Sequence, residues 1–294
     1  MKSVNLIRLQ GLIFCALTAV MLLVGASLQQ LPAQVQLLFL ALAIVIFGVP
    51  HGALDPLLAG RLYPLKSAFG WVVFALVYLL LAAAVVLLWW LAPVFFLIAF
   101  LVISAAHFSG DPVGKKPWWF RFVYGGAVLV LPALLHAKEV AELFSFLINP
   151  SAANALTEFL NLLAWPWLLA VLAACALQLR ADWLASLELL CVAALASWIS
   201  PLLAFALFFC AMHGARHVLR VKAFSADASF SSLLRVAAPP MLALTVGAAL
   251  AWQWMPEVSV SARVVQLLFV ALAALTVPHM CLVERVRFGG WVGS

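Results

Sequence analysis

Ten apolar runs, each close to the length that crosses a bilayer, follow one another along this chain of 294 residues. A spanning helix needs about 20 consecutive apolar residues to cover ~30 Å of hydrocarbon. Breaks at polar, Pro and Gly clusters place the runs at roughly 9–28, 35–50, 69–91, 94–109, 121–137, 155–178, 183–201, 202–220, 236–254 and 263–281. The pattern predicts an all-α, polytopic transmembrane helix bundle of about 10 spans, or about 8 if two weaker runs merge. With 68% of residues hydrophobic and 9% charged, the chain is far from a soluble domain, which is about half apolar and a quarter charged. Porin-type strands alternate over about ten residues; these runs are roughly twice as long and do not alternate. The segment 138–150, with Leu143, Phe144, Phe146 and Leu147 behind Lys138 and Glu139, reads as an interfacial helix. No repeat, low-complexity tract or long linker divides the chain, so residues 1–294 are read as a single integral-membrane domain. Lys2 and Arg8 precede a run too long for a signal peptide, which reads as a first retained helix.

The net charge of +6 is compatible with nucleic acid or with an anionic membrane face. Placement favours the membrane: basic residues stand singly or in pairs between apolar runs, without the continuous stripe a phosphate backbone needs, so no nucleic-acid partner is expected. Cytoplasmic loops retain Lys and Arg. With the N-terminus inside, all but Lys138 and Arg263 of the 16 basic residues fall on the inner side, which predicts both termini cytoplasmic. The five cysteines lie in or beside apolar runs with no CxxC pairing and read as free thiols.

This topology, derived without any histidine, gives each of the six histidines a depth. His51, His107, His213, His217 and His279 all close helices that run from outside to inside. Only His136 falls at the outer end, and it is excluded from a shared site. Within Pro50-His51-Gly52-Ala53-Leu54-Asp55, His107-Phe108-Ser109-Gly110-Asp111 and His213-Gly214-Ala215-Arg216-His217, the polar partners stand four residues apart, one helical turn on one face. An i,i+4 histidine pair can chelate one metal, although the intervening Glu of a zincin is missing. Asp55 and Asp111 either ligate directly or accept the outward N–H of a ligating imidazole; the second role is favoured. Arg216 is read as facing lipid phosphate or the cytoplasm.

Imidazole suits Zn, Cu, Fe and Ni alike, so spacing alone supports only a histidine-bound transition metal. A bis-histidine haem needs ligands on opposite sides of a macrocycle, whereas His213 and His217 share a face. A di-iron centre needs Glu-x-x-His pairs, and Glu158 and Glu188 lack that pattern. A mononuclear non-haem centre with open positions beside a very apolar interior points to a lipid substrate; Phe47, Phe108, Phe208 and Phe209 near the motifs either line a tunnel for it or, as aromatics at helical spacing more often do, pack in the core. Two other classes stand beside it: a membrane transporter, and a pigment-binding protein with a histidine-bound metal and no turnover.

The motifs Gly48-Val49-Pro50-His51-Gly52-Ala53-Leu54-Asp55, Ala106-His107-Phe108-Ser109-Gly110-Asp111, His213-Gly214-Ala215-Arg216-His217 and Pro278-His279 resemble the bacterial Brp/Blh family of membrane-embedded β-carotene 15,15′-dioxygenases. The resemblance spans most of the chain. It implies Fe(II) on His51, His107, His213 and His217, with Asp55 and Asp111 as supporting residues and His279 as a possible additional ligand. It further implies β-carotene and dioxygen as substrates, cleavage of the central double bond to retinal, residence in the bacterial inner membrane, and a functional link to a retinal-binding rhodopsin.

Overall fold

The computed structural model describes residues 2–28, 32–225 and 229–286. It is all-helical, with no strand among the described residues. The chain opens with α1 (Lys2–Leu28) and α2 (Ala33–Ala43), then passes through a wide turn at Ile44–Gly48 and a tight one at Val49–Leu54 into α3 (Asp55–Leu62). Next come α4 (Ala68–Leu91), α5 (Pro93–Phe108), α6 (Trp118–Val130), the single turn α7 (Pro132–Leu135) and α8 (Ala137–Ser145). The second half holds α9 (Pro150–Gln178), α10 (Trp183–Trp198), α11 (Pro201–Leu207), a second wide turn at Phe208–Gly214, α12 (Ala215–Phe224), α13 (Phe230–Trp254) and α14 (Val260–Val286).

Local chemistry sets these ends. Ser67, Asn149, Asp182 and Ser229 each accept an amide of the first turn that follows, at α4, α9, α10 and α13. Pro93, Pro150 and Pro201 open helices at positions where no amide donor is needed. Seven described segments are long and apolar enough to cross a membrane, and Pro93–Phe108 and Trp183–Trp198 are shorter apolar helices. The run expected at 121–137 is not one helix. Pro132 has no amide hydrogen to return to Val128, so α6 stops at Val130. The segment expected to lie along the interface forms α8. Arg287, counted with the inner basic residues, lies outside the described residues.

The polar and apolar surfaces are inverted relative to a soluble protein. Every residue of α4 is at least partly exposed, and α13 buries only Leu233 and Ala237. Leu23, Phe69, Leu162 and Trp254 are among many large apolar side chains left outside, as lipid contact requires. The main core joins Phe14, Ile44, Phe108, Phe120, Tyr124, Leu189, Phe208 and Met212 from α1, the two wide turns, α5, α6 and α10. Here Gly48 and Gly214 bring the two interrupted helices together. A Cβ at Gly48 would run into the Phe209 ring, and one at Gly214 would press on the carbonyl oxygens of Phe47, Gly48 and Phe209.

Candidate metal centre

The interruptions build the site. Pro50 withdraws a donor from the helix that began at Ala33, and the chain answers with the Ile44–Gly48 and Val49–Leu54 turns. His51 sits on the tight turn, and its Nδ1 donates to the carbonyl of Gly48 at 2.5 Å. His213 sits on the second wide turn and His217 one turn later on α12. Wide π-type turns recur at functional sites, where they re-aim side chains. His107 ends α5, and His279 follows Pro278 within α14.

All five histidines are buried and packed ring against ring. Centroids lie 4.9 Å apart for His51 and His213, 5.3 Å for His51 and His217, 5.2 Å for His51 and His279, 4.6 Å for His107 and His213, and 4.9 Å for His217 and His279. Ring nitrogens of His51, His107 and His279 all fall within 4.8 Å of one another. The structure therefore draws His279 into the same group as the four histidines singled out from spacing. His136 stays apart and pairs with Glu139 at 3.0 Å at the start of α8.

The carboxylates accept imidazole N–H groups, but across helices and not within their own motifs. Asp55 Oδ1 takes the Nδ1–H of His279 at 2.7 Å, and Asp111 takes that of His213 at 3.0 Å. Asp111 lies beyond the end of α5, so the one-turn relation expected between His107 and Asp111 is absent. With Nδ1 occupied, the Nε2 atoms of His213 and His279 are buried and carry no hydrogen bond. Such orphaned acceptors are costly in a protein interior. A divalent cation is the partner that fits several neutral imidazoles whose opposite nitrogens are pinned by carboxylates or a carbonyl.

Behind the histidines lies a polar network that the sequence did not reveal. Arg216, expected at the cytoplasm or a lipid phosphate, is fully buried. It makes a two-pronged pair with Glu188 at 2.6 and 3.0 Å and donates to Gln10 Oε1 at 2.8 Å and Asp111 O at 3.1 Å. Arg220 adds bonds to Gly110 O and Asp111 O. These two arginines hold the loop that aims Asp111 at His213. Tyr78 donates to the second oxygen of Asp55 at 2.9 Å and fixes that carboxylate in turn. Only the contact partners, far apart in sequence, would have identified these residues.

A cavity of about 100 Å³ opens on the layer, with His51, His107 and His279 on its wall. Phe100, Phe108, Phe205, Phe209, Met241 and Leu272 are among the apolar residues that line the rest. Of the aromatics expected there, Phe108 and Phe209 face the cavity. Phe208 packs in the core against Phe108 and Tyr124 instead, and Phe47 is 66% exposed.

No solved structure matches the chain. A protein named β-carotene 15,15′-dioxygenase from uncultured marine bacterium 66A03 is 33% identical over 256 residues, which cover 84% of this chain and 92% of that protein. The family model described as beta-carotene 15,15'-dioxygenase matches residues 42–286, a stretch that contains all five clustered histidines and both carboxylates. By that match and that relative, the chain belongs to the β-carotene 15,15′-dioxygenase family.

Proposed function

We propose that this chain, as a single integral-membrane domain of about ten spans with both termini in the cytoplasm, cleaves the central double bond of β-carotene with dioxygen to give retinal. Family membership makes it a carotenoid-cleaving dioxygenase, and the observation that carries the finer reading is the five-histidine layer on an apolar cavity. His51, His107, His213 and His217 hold Fe(II) near the cytoplasmic side, and His279 joins them. Bound there, Fe(II) supplies activation of dioxygen, whose two atoms end in the two aldehydes.

The rest is the work of the chain's own groups. Asp55 and Asp111 keep the proton of His279 and His213 on Nδ1, so that Nε2 presents a lone pair. Their two negative charges offset a divalent cation that neutral imidazoles leave uncompensated. Phe108, Phe209 and Met241 hold a double bond against the layer and exclude water. An apolar wall distinguishes one methylene by only ~1–3 kcal/mol, so the position of the cut is set by the shape of the cavity. The enzyme resides in the bacterial inner membrane, and its product suits a retinal-binding rhodopsin.

The test is expression in β-carotene-producing bacteria beside the His217→Ala variant, with pigment extraction, chromatography and metal analysis. Retinal with wild type only, and iron lost from a variant that still inserts, supports the reading. Carotene persisting with an iron-loaded wild type overturns it in favour of binding without turnover.

A further inference from the structure

We propose that the groove bounded by α4, α13 and α14 is the route by which the polyene leaves the bilayer, and that one arm of the molecule stays there during reaction. The proposal rests on the carotenoid-cleaving reading above. A cavity of about 930 Å³ lies between these helices, and it shares Tyr78, Pro240, Leu244 and Leu275 with the histidine cavity. The two spaces are therefore neighbours across one thin wall. Along α4 the groove reaches from Phe74 to Trp90, about 24 Å at 1.5 Å per residue, a length on the scale of the ~30 Å hydrocarbon core.

The chemistry of the wall fits hydrocarbon. Three of its polar groups are turned to the protein: Asp55 is taken by Tyr78 and His279, Trp89 Nε1 donates to Leu147 O at 2.9 Å, and Gln266 Nε2 to Phe146 O at 2.8 Å. An apolar chain lying there strands none of these bonds. The groove also faces lipid. α4 packs on α14 and α5, whereas α13 packs chiefly on the Val49–Leu54 turn, which leaves a seam between α4 and α13. The cavity on the other wall, reached past Phe100, Ser104 and Phe205, holds only about 90 Å³. Of the two spaces that adjoin the histidine cavity, the groove is the one with room for an arm of a polyene, with Tyr78, Leu244 and Leu275 as the threshold.

Gly247 gives the means to test this. It lines the groove, and a Cβ built on it meets nothing within 4 Å, so a larger side chain there starts out into open space and not against another helix. Carotenoid retained by detergent-purified His217→Ala protein, which reads occupancy without turnover, should fall at least about fivefold when Gly247→Trp is added. In the wild-type background, Gly247→Trp should slow carotene cleavage at least about tenfold with metal content unchanged. Leu242→Trp, on the same helix but outside both cavities, controls for the burden of an extra indole and should match its parent in both assays. Equal pigment with and without Gly247→Trp, including none in either, overturns the groove, and so does unimpaired turnover. Loss of pigment together with a wild type that cleaves no carotene keeps the groove and removes the cleavage reading.

Discussion

α4 and the Gln34–Leu62 segment are both long and apolar, yet they do opposite work. α4 runs 24 residues without a break, buries none of them, and contributes Tyr78 to the site's support. Gln34–Leu62 passes through two irregular windings, at Ile44–Gly48 and Val49–Leu54, and carries His51 and Asp55. In hydrocarbon, an unbroken helix satisfies its own backbone, and broken backbone survives only where protein supplies partners. The broken segments have such partners. His51 covers Gly48 O, Cys210 Sγ lies 3.4 Å from Ala43 O, and Gln10 Nε2 donates to Ala211 O at 2.6 Å. Irregular winding and polar chemistry therefore share one interior layer, while regular helices form the lipid wall around it.

The largest blow to that layer should come from Glu188→Ala. It leaves the Arg216 guanidinium buried without its carboxylate, at a cost of about 3–5 kcal/mol. Glu158→Ala, on the exposed face of α9, should leave stability within ~0.5 kcal/mol. Chemical or thermal unfolding in detergent compares the two, and equal stability would detach the arginine network from the fold. Next, Asp55→Asn should weaken metal binding roughly 10–100-fold with the helices intact. Metal titration by absorbance or calorimetry reads this, and unchanged affinity would leave the Asp55–His279 bond without a role in holding metal.

Glycine gives the sharpest contrast of interior with wall. Gly48→Ala drives a methyl into the Phe209 ring and should cost about 1–3 kcal/mol. Gly247→Ala, in open space on α13, should gain up to ~1 kcal/mol from helix propensity. The same sign at both sites in thermal melts would break the distinction. The smallest effect is expected at the rim. Burial pushes the Asp182 carboxyl up, but hydrogen bonds from Lys116 and Ala185 and the charges of Lys116 and Arg8 hold it below its ordinary value. A carboxylate lowered on folding stabilises above its unfolded pKa of about 3.9 and loses that contribution as the pH falls through the folded value. Asp182→Asn keeps the helix cap and should cost less than ~1 kcal/mol at neutral pH. The gap from wild type should close as a titration carries the pH below about 4.

Helical architecture was legible because apolar runs of bilayer length have few alternatives, and the shared depth of the histidines followed from where those runs end. The winding at Ile44–Gly48 and Phe208–Gly214 was not, since both stretches are apolar enough to pass for continuous helix. Spacing suggested that each aspartate serves its own motif. The actual partners come from other helices, and one sequence holds no distance between helices. Arg216 was misjudged for the same reason: near a helix end, a charge bound for an interior partner looks like one bound for water.

The crosswise pairing has a bearing on assembly. Asp55 and His279 are 224 residues apart, and Asp111 and His213 are 102 apart. Contacts of such separation close late, after the loops between them are spent. A chain whose α14 has yet to insert already owns His51, His107, His213 and His217, but Asp55 has no imidazole to receive. Completion of the centre is thereby tied to the insertion of α14, and a product that stops before it is left with an unfinished site.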